Sequence, residues 1–146
     1  MEDDEFKRYV KEKISLLKPS FSKTGIVTAA NSSKLNDAGC ALVLMSEDKL
    51  REHNLKPLAR IVGYADAEVE PIDFCIAPTR SITTLLQNVG MKLSQIEYFE
   101  ISEAFAVTIL ASLKLLDLDI EKVNIYGGAI SMGHPIGFYL DFFFNI

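Results

Sequence analysis

An apolar segment from Glu103 to Leu116 constrains the fold more than any other part of the chain. A helix on a protein surface carries apolar side chains along one face, whereas a helix that is apolar nearly all round is buried on all sides. This segment is of the second kind, because apolar side chains surround it on most sides: Val107, Ile109, Leu110, Leu113, Leu115 and Leu116. The sequence therefore predicts a helix with layers of structure above and below it, the most buried element of the fold.

Strand-like stretches alternate with helices along the chain, which is typical of a layered α/β fold. The stretch Cys40–Met45 is a continuous apolar run, which predicts a strand buried on both faces. The other predicted strands are Thr24–Ala30, Leu58–Ala65, Glu97–Ile101 and Lys122–Tyr126.

Spacing and end signals predict three further helices. Glu5–Leu17 places apolar residues at helical intervals among charged ones, which predicts an amphipathic helix. Ser46 can cap a short helix with His53 near its C-terminus, where a cation is mildly stabilising, so we interpret His53 as structural. Pro78 suits the first turn of a third helix, and Gly90 suits its end.

Composition excludes several classes of function. The chain of 146 residues is 49% hydrophobic and 24% charged, which is typical of one globular domain. Its net charge of −5, without a basic cluster, speaks against nucleic acid as a partner. The longest apolar run, Ala104 to Leu113, is too short to span a bilayer. The acidic residues Met1 to Glu5 are unlike a secretory or transit segment, so we expect no targeting segment in this chain.

The two cysteines, Cys40 and Cys75, lack metal-ligand spacing, and we expect no metal site. Cysteine is often a small buried hydrophobe, and that is our interpretation of both. The use of cysteine also favours a reducing compartment.

A glycine-rich segment, Tyr126–Gly137, follows the last predicted strand and carries His134 between Gly133 and Pro135. Glycine lets a backbone turn tightly and approach a ligand closely, and proline stiffens the exit from the loop. These residues indicate that the loop positions the imidazole of His134 for a function. The alternative is a glycine-rich turn with an incidental histidine, because short motifs recur by chance.

A second motif lies upstream: Phe99–Ala106 reads Phe-Glu-Ile-Ser-Glu-Ala-Phe-Ala. Followed by Gly-Gly-Ala-Ile-Ser-Met-Gly-His-Pro-Ile-Gly, it resembles the C-terminal half of the thiolase family, and most closely the acetyl-CoA acetyltransferases that form acetoacetyl-CoA. The resemblance covers nearly all of the chain from Phe6 to Gly137.

The resemblance implies an α/β fold, a thiolase-like layered sandwich, of which this chain would supply one C-terminal βαβ half without its last helix and strands. It divides the chain into a lead-in helix and linker (1–23), a truncated thiolase C-terminal-like domain (24–137) and a non-family aromatic tail (138–146). We interpret the tail as the end of a truncated or alternatively spliced product, with an aromatic plug or partner-binding patch as the alternative.

The resemblance also implies roles for individual residues. His134 matches the histidine that helps to bind the thioester oxygen beside the nucleophile. Ala104 and Phe105 match residues that line the pantetheine channel, and Ser33 matches a serine that hydrogen-bonds the pantetheine arm. Ser102 occupies the position of a family asparagine, where its hydroxyl could still hold a water.

The implied activity is thiolytic cleavage or Claisen condensation of acyl-CoA thioesters, with coenzyme A as substrate and no resident cofactor. The nucleophilic cysteine and the second catalytic cysteine are absent from this chain, so we expect it to be inactive alone. One alternative is a non-catalytic remnant that binds thiolase subunits or other partners. A condensing enzyme of the ketoacyl-synthase type is a weaker candidate, because the Gly-Gly-Ala and Gly-His-Pro motifs argue against it.

We expect acyl-CoA as a small-molecule partner, self-association or a thiolase-like protein partner, and no nucleic acid or membrane. The resemblance suggests a mitochondrial location, with a cytoplasmic one as the alternative.

Overall fold

The structure, a computed structural model, describes residues 6–136. Within this range the α-helices are α1 (Glu47–Glu52), α2 (Ala77–Val89), α3 (Ala106–Leu116) and α4 (Ala129–Met132). Short 3₁₀ helices span Phe6–Arg8, Lys11–Leu16, Ala29–Asn31, Pro71–Ile76, Leu93–Gln95 and Ile120–Lys122. No helix in the described range is long and apolar enough to cross a membrane.

The end signals of α1 and α2 are confirmed. The Ser46 hydroxyl accepts a hydrogen bond from the backbone N–H of Lys49 at 3.4 Å, and His53 lies at the C-terminal end of α1. Pro78 lies in the first turn of α2, and Gly90 ends the helix in the left-handed conformation with φ of 68°. These local signals act within one helical turn, so they hold whatever the rest of the chain does.

The core lies where α2 and α3 meet two extended segments. It consists of Ile82 from α2, Ile109 from α3, and Phe99, Ile101 and Val123 from the segments. The two segments run parallel, because the Phe99 N–H donates to the Lys122 carbonyl and the Asn124 N–H donates to the Phe99 carbonyl, both at 2.8 Å. The predicted strands Glu97–Ile101 and Lys122–Tyr126 are therefore neighbours, joined by one bridge rather than by a full ladder.

The prediction of a strand buried on both faces at Cys40–Met45 is wrong for this chain. All of these residues are exposed; the exposed fraction reaches 89% at Val43. A central strand needs neighbours at both edges and layers on both faces, and no described segment pairs with this one. Cys40 is exposed and Cys75 is partly buried, so the interpretation of Cys40 as a buried hydrophobe is wrong too.

Helix α3 is buried along one side only. It begins at Ala106, three residues later than predicted, and Ile109 is 6% exposed while Ser112 is fully buried. Leu110, on the other side, is 61% exposed, and Leu115 in the last turn is 58% exposed, which contradicts the prediction of burial all round. The layer that would cover this second side is not formed by the described residues.

The predicted amphipathic helix Glu5–Leu17 is instead two 3₁₀ stretches separated by Tyr9 and Val10. Most helical stability in proteins comes from packing of the apolar face. Here Tyr9 is 60% exposed and Ile14 is 39% exposed, so the apolar face is only partly covered by the described residues. The predictions for residues 1–5 and for the tail 138–146 lie outside the described residues.

Candidate functional site

The backbone carries His134 alongside a polar segment from the first third of the chain. Helix α4 ends at Met132, and Gly133 then turns the chain with φ of 93°. The backbone N–H of His134 donates to the Lys34 carbonyl at 2.6 Å, and Leu35 and His134 form a parallel bridge. The glycine-rich loop therefore pairs with Ser33 to Leu35.

This pairing brings two predicted site residues into direct contact. The Ser33 hydroxyl oxygen lies 2.9 Å from Nδ1 of His134, although 101 positions separate them in sequence. Both side chains are half-buried. A serine hydroxyl can donate to an unprotonated Nδ1, and the neutral imidazole then carries its proton on Nε2. In that tautomer the free donor of the ring is Nε2–H.

The motif at Phe99–Ala106 forms the next part of the site. The Ser33 N–H donates to the Ala104 carbonyl at 3.0 Å, and Ser32 and Phe105 form an antiparallel bridge. Ser33, His134, Ala104 and Phe105 are therefore all brought together. Ser102 is half-buried in the same motif but takes no part in these hydrogen bonds.

The Phe105 ring is part of an aromatic cluster. It contacts Phe21 at a centroid distance of 5.6 Å and Phe74 at 6.0 Å, both edge to face. This is a preferred geometry for aromatic pairs. The bridge between Ser32 and Phe105 joins this cluster to the segment that carries Ser33.

Sequence reasoning missed three residues that support the loop. A Glu103 carboxylate oxygen accepts the backbone N–H of Ile130 at 3.1 Å. The Asn124 amide pairs with both backbone groups of Ile101, and the Asn36 amide donates to the Met132 carbonyl at 2.9 Å. Glu103 lies inside one motif and Asn124 just before the other, and Asn36 lies three residues after Ser33, which was the available signal. Their partners are distant in sequence, and only folding reveals them.

One carboxyl near the site has a shifted pKa. Partial burial raises the pKa of Glu100 from its ordinary value of 4.5, and a hydrogen bond from the backbone of Ile125 opposes the shift. Within the described part of the chain, no three histidine, cysteine or acidic side chains are arranged to hold a metal ion.

The chain matches two sequence models of one family. Residues 55–139 match "Thiolase, C-terminal domain", and residues 1–48 match "Thiolase, N-terminal domain". A probable acetyl-CoA acetyltransferase of Dictyostelium discoideum is 53% identical over 137 residues, which are 94% of this chain and 33% of that protein. The human mitochondrial acetyl-CoA acetyltransferase is also 53% identical, over 93% of this chain and 32% of the relative. A Gibberella zeae relative is cytosolic.

Solved structures agree with this fold. The acetyl-CoA acetyltransferase of Bacillus anthracis superposes with a TM-score of 0.83 at 51% identity, over 88% of this chain and 32% of the other. A thiolase of Ascaris suum in complex with coenzyme A has a TM-score of 0.82 at 43% identity, over 94% of this chain and 36% of the other. The predicted layered α/β fold is confirmed, as a fragment that spans about a third of these relatives.

Proposed function

Because the chain belongs to the thiolase family, we propose that it forms the thioester-binding part of an enzyme similar to acetyl-CoA acetyltransferase. The observation that carries this proposal is the 2.9 Å hydrogen bond between Ser33 and His134, made beside Ala104 and Phe105. These are four of the five residues to which the resemblance gives a role.

In the proposed mechanism, Ser33 donates to Nδ1 of His134, and Nε2–H of His134 donates to the thioester oxygen. A negative charge develops on that oxygen as the thioester is attacked, and donors held in place beforehand stabilise it by about 3–4 kcal/mol each. Ser102 holds a water as a second donor, which is a weaker assignment because serine is shorter than asparagine.

The substrate arm lies along the aromatic cluster. Ala104 and Phe105 line its apolar side, and Phe21 and Phe74 contact the Phe105 ring edge to face. Coenzyme A is a substrate in this scheme, and no resident cofactor is needed.

Thiolytic cleavage or Claisen condensation also needs a cysteine that accepts the acyl group and a second that moves the α-proton. Cys40 and Cys75 match neither family motif, and Cys40 lies in the exposed segment. The chain spans about a third of its relatives, so both cysteines come from outside the matched part. The chain alone is then inactive.

A second candidate function is supported by the exposed apolar segment Cys40–Met45, in which Leu44 is 64% exposed. Apolar surface of this kind marks interaction sites. The partner is a thiolase-like chain or a second copy of this one, and the chain then serves assembly rather than catalysis.

A mixing experiment distinguishes the two functions. The purified chain is assayed for acetoacetyl-CoA thiolysis alone and with the part of the human relative that it does not match. We expect no turnover alone, turnover in the mixture, and loss of that turnover with His134→Ala but not with His53→Gln. A mixture that associates without turnover would favour the assembly function.

A mitochondrial location is the final part of the proposal. It is supported by the mitochondrial relatives of human, cattle and mouse, although a cytosolic relative also exists. Fractionation of cells that express the natural gene tests it, and a purely cytosolic product would contradict it.

A further inference from the structure

Two neighbouring residues, Glu103 and Ala104, contact the two segments that carry Ser33 and His134. The Ala104 carbonyl accepts the Ser33 N–H at 3.0 Å, on the serine side. The carboxylate of Glu103 accepts the Ile130 N–H at 3.1 Å, on the histidine side. The dipeptide Glu103-Ala104 therefore contacts both segments. The backbone of Ala104 binds the segment with Ser33, and the side chain of Glu103 binds the loop with His134.

The Glu103 carboxylate touches the loop backbone at Gly128 as well. A Cβ built on Gly128 would lie 2.2 Å from the carboxylate oxygen Oε2 and 2.8 Å from Cδ. The backbone of Gly128 has φ of −106° and ψ of −178°, which any residue can adopt. Glycine is therefore needed here for the close approach of Glu103 and not for its own backbone conformation.

Asn124 fixes the starting point of this dipeptide. Its Oδ1 accepts the Ile101 N–H at 2.7 Å, and its Nδ2 donates to the Ile101 carbonyl at 2.9 Å. The amide thereby extends the pairing of the two parallel core segments by one residue. Glu103 follows two residues later and is half-buried against the loop.

His134 lies four residues after Ile130 along the backbone. Ile130 lies in α4, and the Gly133 N–H donates to the Ala129 carbonyl at 3.1 Å at the end of that helix. His134 follows directly. The His134 N–H also donates to the Lys34 carbonyl at 2.6 Å, so the backbone of His134 has a second hold next to Ser33. A shift of α4 relative to Glu103 would therefore act on the imidazole through the turn at Gly133, by changing how the His134 side chain leaves that backbone.

From this geometry we infer that Glu103 is a positioning residue, whose carboxylate holds the glycine-rich loop so that His134 meets Ser33. This inference deepens the proposed function. It rests on that function only for the role of the Ser33–His134 pair in binding a thioester, because the placement of the loop by Glu103 can be measured without any substrate. Glu103 acts through His134 and contacts no substrate.

The test reads the imidazole directly. The chain contains only two histidines, so ¹⁵N-labelled histidine gives two sets of ring signals, which His53→Gln assigns. In the unmodified chain we expect a nuclear Overhauser effect between the Ser33 β protons and Hε1 of His134, with a hydrogen-bonded Nδ1 shift. Glu103→Ala should abolish this nuclear Overhauser effect and should move the Nδ1 chemical shift toward the value of a free imidazole.

Variants on both sides of the contact, at Glu103 and at Gly128, distinguish a change in the position of His134 from a general loss of stability. Glu103→Gln keeps a carbonyl oxygen that can accept the Ile130 N–H, so it should restore most of the His134 signature. Gly128→Ala disturbs the same contact from the loop side and should reproduce the effect of Glu103→Ala. Gly39→Ala is the matched control, because a Cβ there has nothing within 4 Å.

A double variant provides the sharpest outcome. Combining Gly128→Ala with Glu103→Ala removes the carboxylate that the new methyl group would hit, so the combined loss of stability should be smaller than the sum of the single losses. If the single variants unfold, the His134 signals are measured in Glu103→Gln and in this double variant instead.

The inference is overturned if Glu103→Ala lowers stability but leaves the His134 signals and the Ser33 contact unchanged. It is also overturned if the Glu103 and Gly128 substitutions are additive. Neither result depends on coenzyme A, so a failure of the proposed function in the mixing experiment remains a separate outcome.

Discussion

At the scale of single residues, Gly133 decides where His134 can lie. Its φ of 93° and ψ of 164° belong to a region that side chains rarely adopt. A Cβ on this residue would also lie 2.6 Å from Cβ of Asn36, whose amide holds the end of α4. Backbone strain and crowding therefore act at the same position.

We expect Gly133→Ala to lower the free energy of unfolding by about 1–3 kcal/mol, since strain alone is of this order. Gly90→Ala is the comparison without crowding, because a Cβ added at Gly90 would meet nothing within 4 Å. Its φ of 68° and ψ of 26° are the milder left-handed helical conformation, so about 1 kcal/mol is expected there. Urea unfolding measures both. Equal losses at the two glycines would show that crowding against Asn36 contributes nothing.

Glu100 predicts a pH dependence. Burial favours its protonated form, so the folded-state pKa lies above the ordinary value of 4.5. A raised folded-state pKa gives a contribution to stability that is complete below pH 4.5 and is lost as the pH rises through the folded-state pKa. Ionised Glu100 is therefore less favourable in the folded chain than in the unfolded chain at neutral pH, and the effect is small because Glu100 is an exposed residue.

We expect Glu100→Gln to raise the free energy of unfolding relative to that of the unmodified chain. This gain should be larger at pH 7 than at pH 4. Thermal or urea unfolding across this range measures the difference, which should grow as the pH rises and then level off. A difference that stays constant with pH, or one that shrinks as the pH rises, would contradict the assignment.

At the scale of elements, α3 has two unlike sides. Ile109 is 6% exposed and lies in the core cluster with Ile82, Phe99 and Val123, whereas its neighbour Leu110 is 61% exposed. The composition of the helix does not distinguish these two residues. Their energetic roles differ because only one side meets α2 and the core segments.

Alanine substitution should show this asymmetry. Ile109→Ala is expected to cost about 2–5 kcal/mol, as buried aliphatic side chains do, whereas Leu110→Ala should change stability by less than about 1 kcal/mol. Urea unfolding of the isolated chain is the measurement. A large loss at Leu110 would mean that a self-associated form covers the outer side of α3.

At the scale of the whole molecule, apolar surface is left uncovered on several elements. Val43 is 89% exposed, Leu58 is fully exposed and Tyr64 is 86% exposed. The relatives that share this fold are about three times longer, and this chain superposes on about a third of them. Surface of this kind favours association, either with a complementary chain or between copies.

We therefore expect the isolated chain to self-associate. Val43→Lys combined with Leu44→Lys should shift the chain toward the monomer, and Lys49→Ala in the neighbouring helix serves as a control on a charged, exposed residue. Light scattering after size exclusion gives the mass of each species, and the same run without residues 138–146 tests the tail. A monomer at all concentrations, with cooperative unfolding, would show that the chain covers its own core.

Much of the site could be predicted from the sequence, because its residues lie in two short motifs. His134, Ala104, Phe105 and Ser33 were named from the resemblance, and the fold brings all four together. Glu103 lies inside one motif and was still missed, since its partner Ile130 is 27 positions away and a carboxylate has no local pattern that identifies its donor.

The sequence by itself determined what depends on neighbouring residues: the caps of α1 and α2, the left-handed glycine at the end of α2, and the presence of α3. These features are decided within one or two turns of backbone. Tertiary structure alone decided which side of α3 is buried, that Cys40–Met45 is exposed, and that Ser33 meets His134. Burial depends on which other segments are present to cover a surface, and an apolar pattern records only that a surface is suited to being covered.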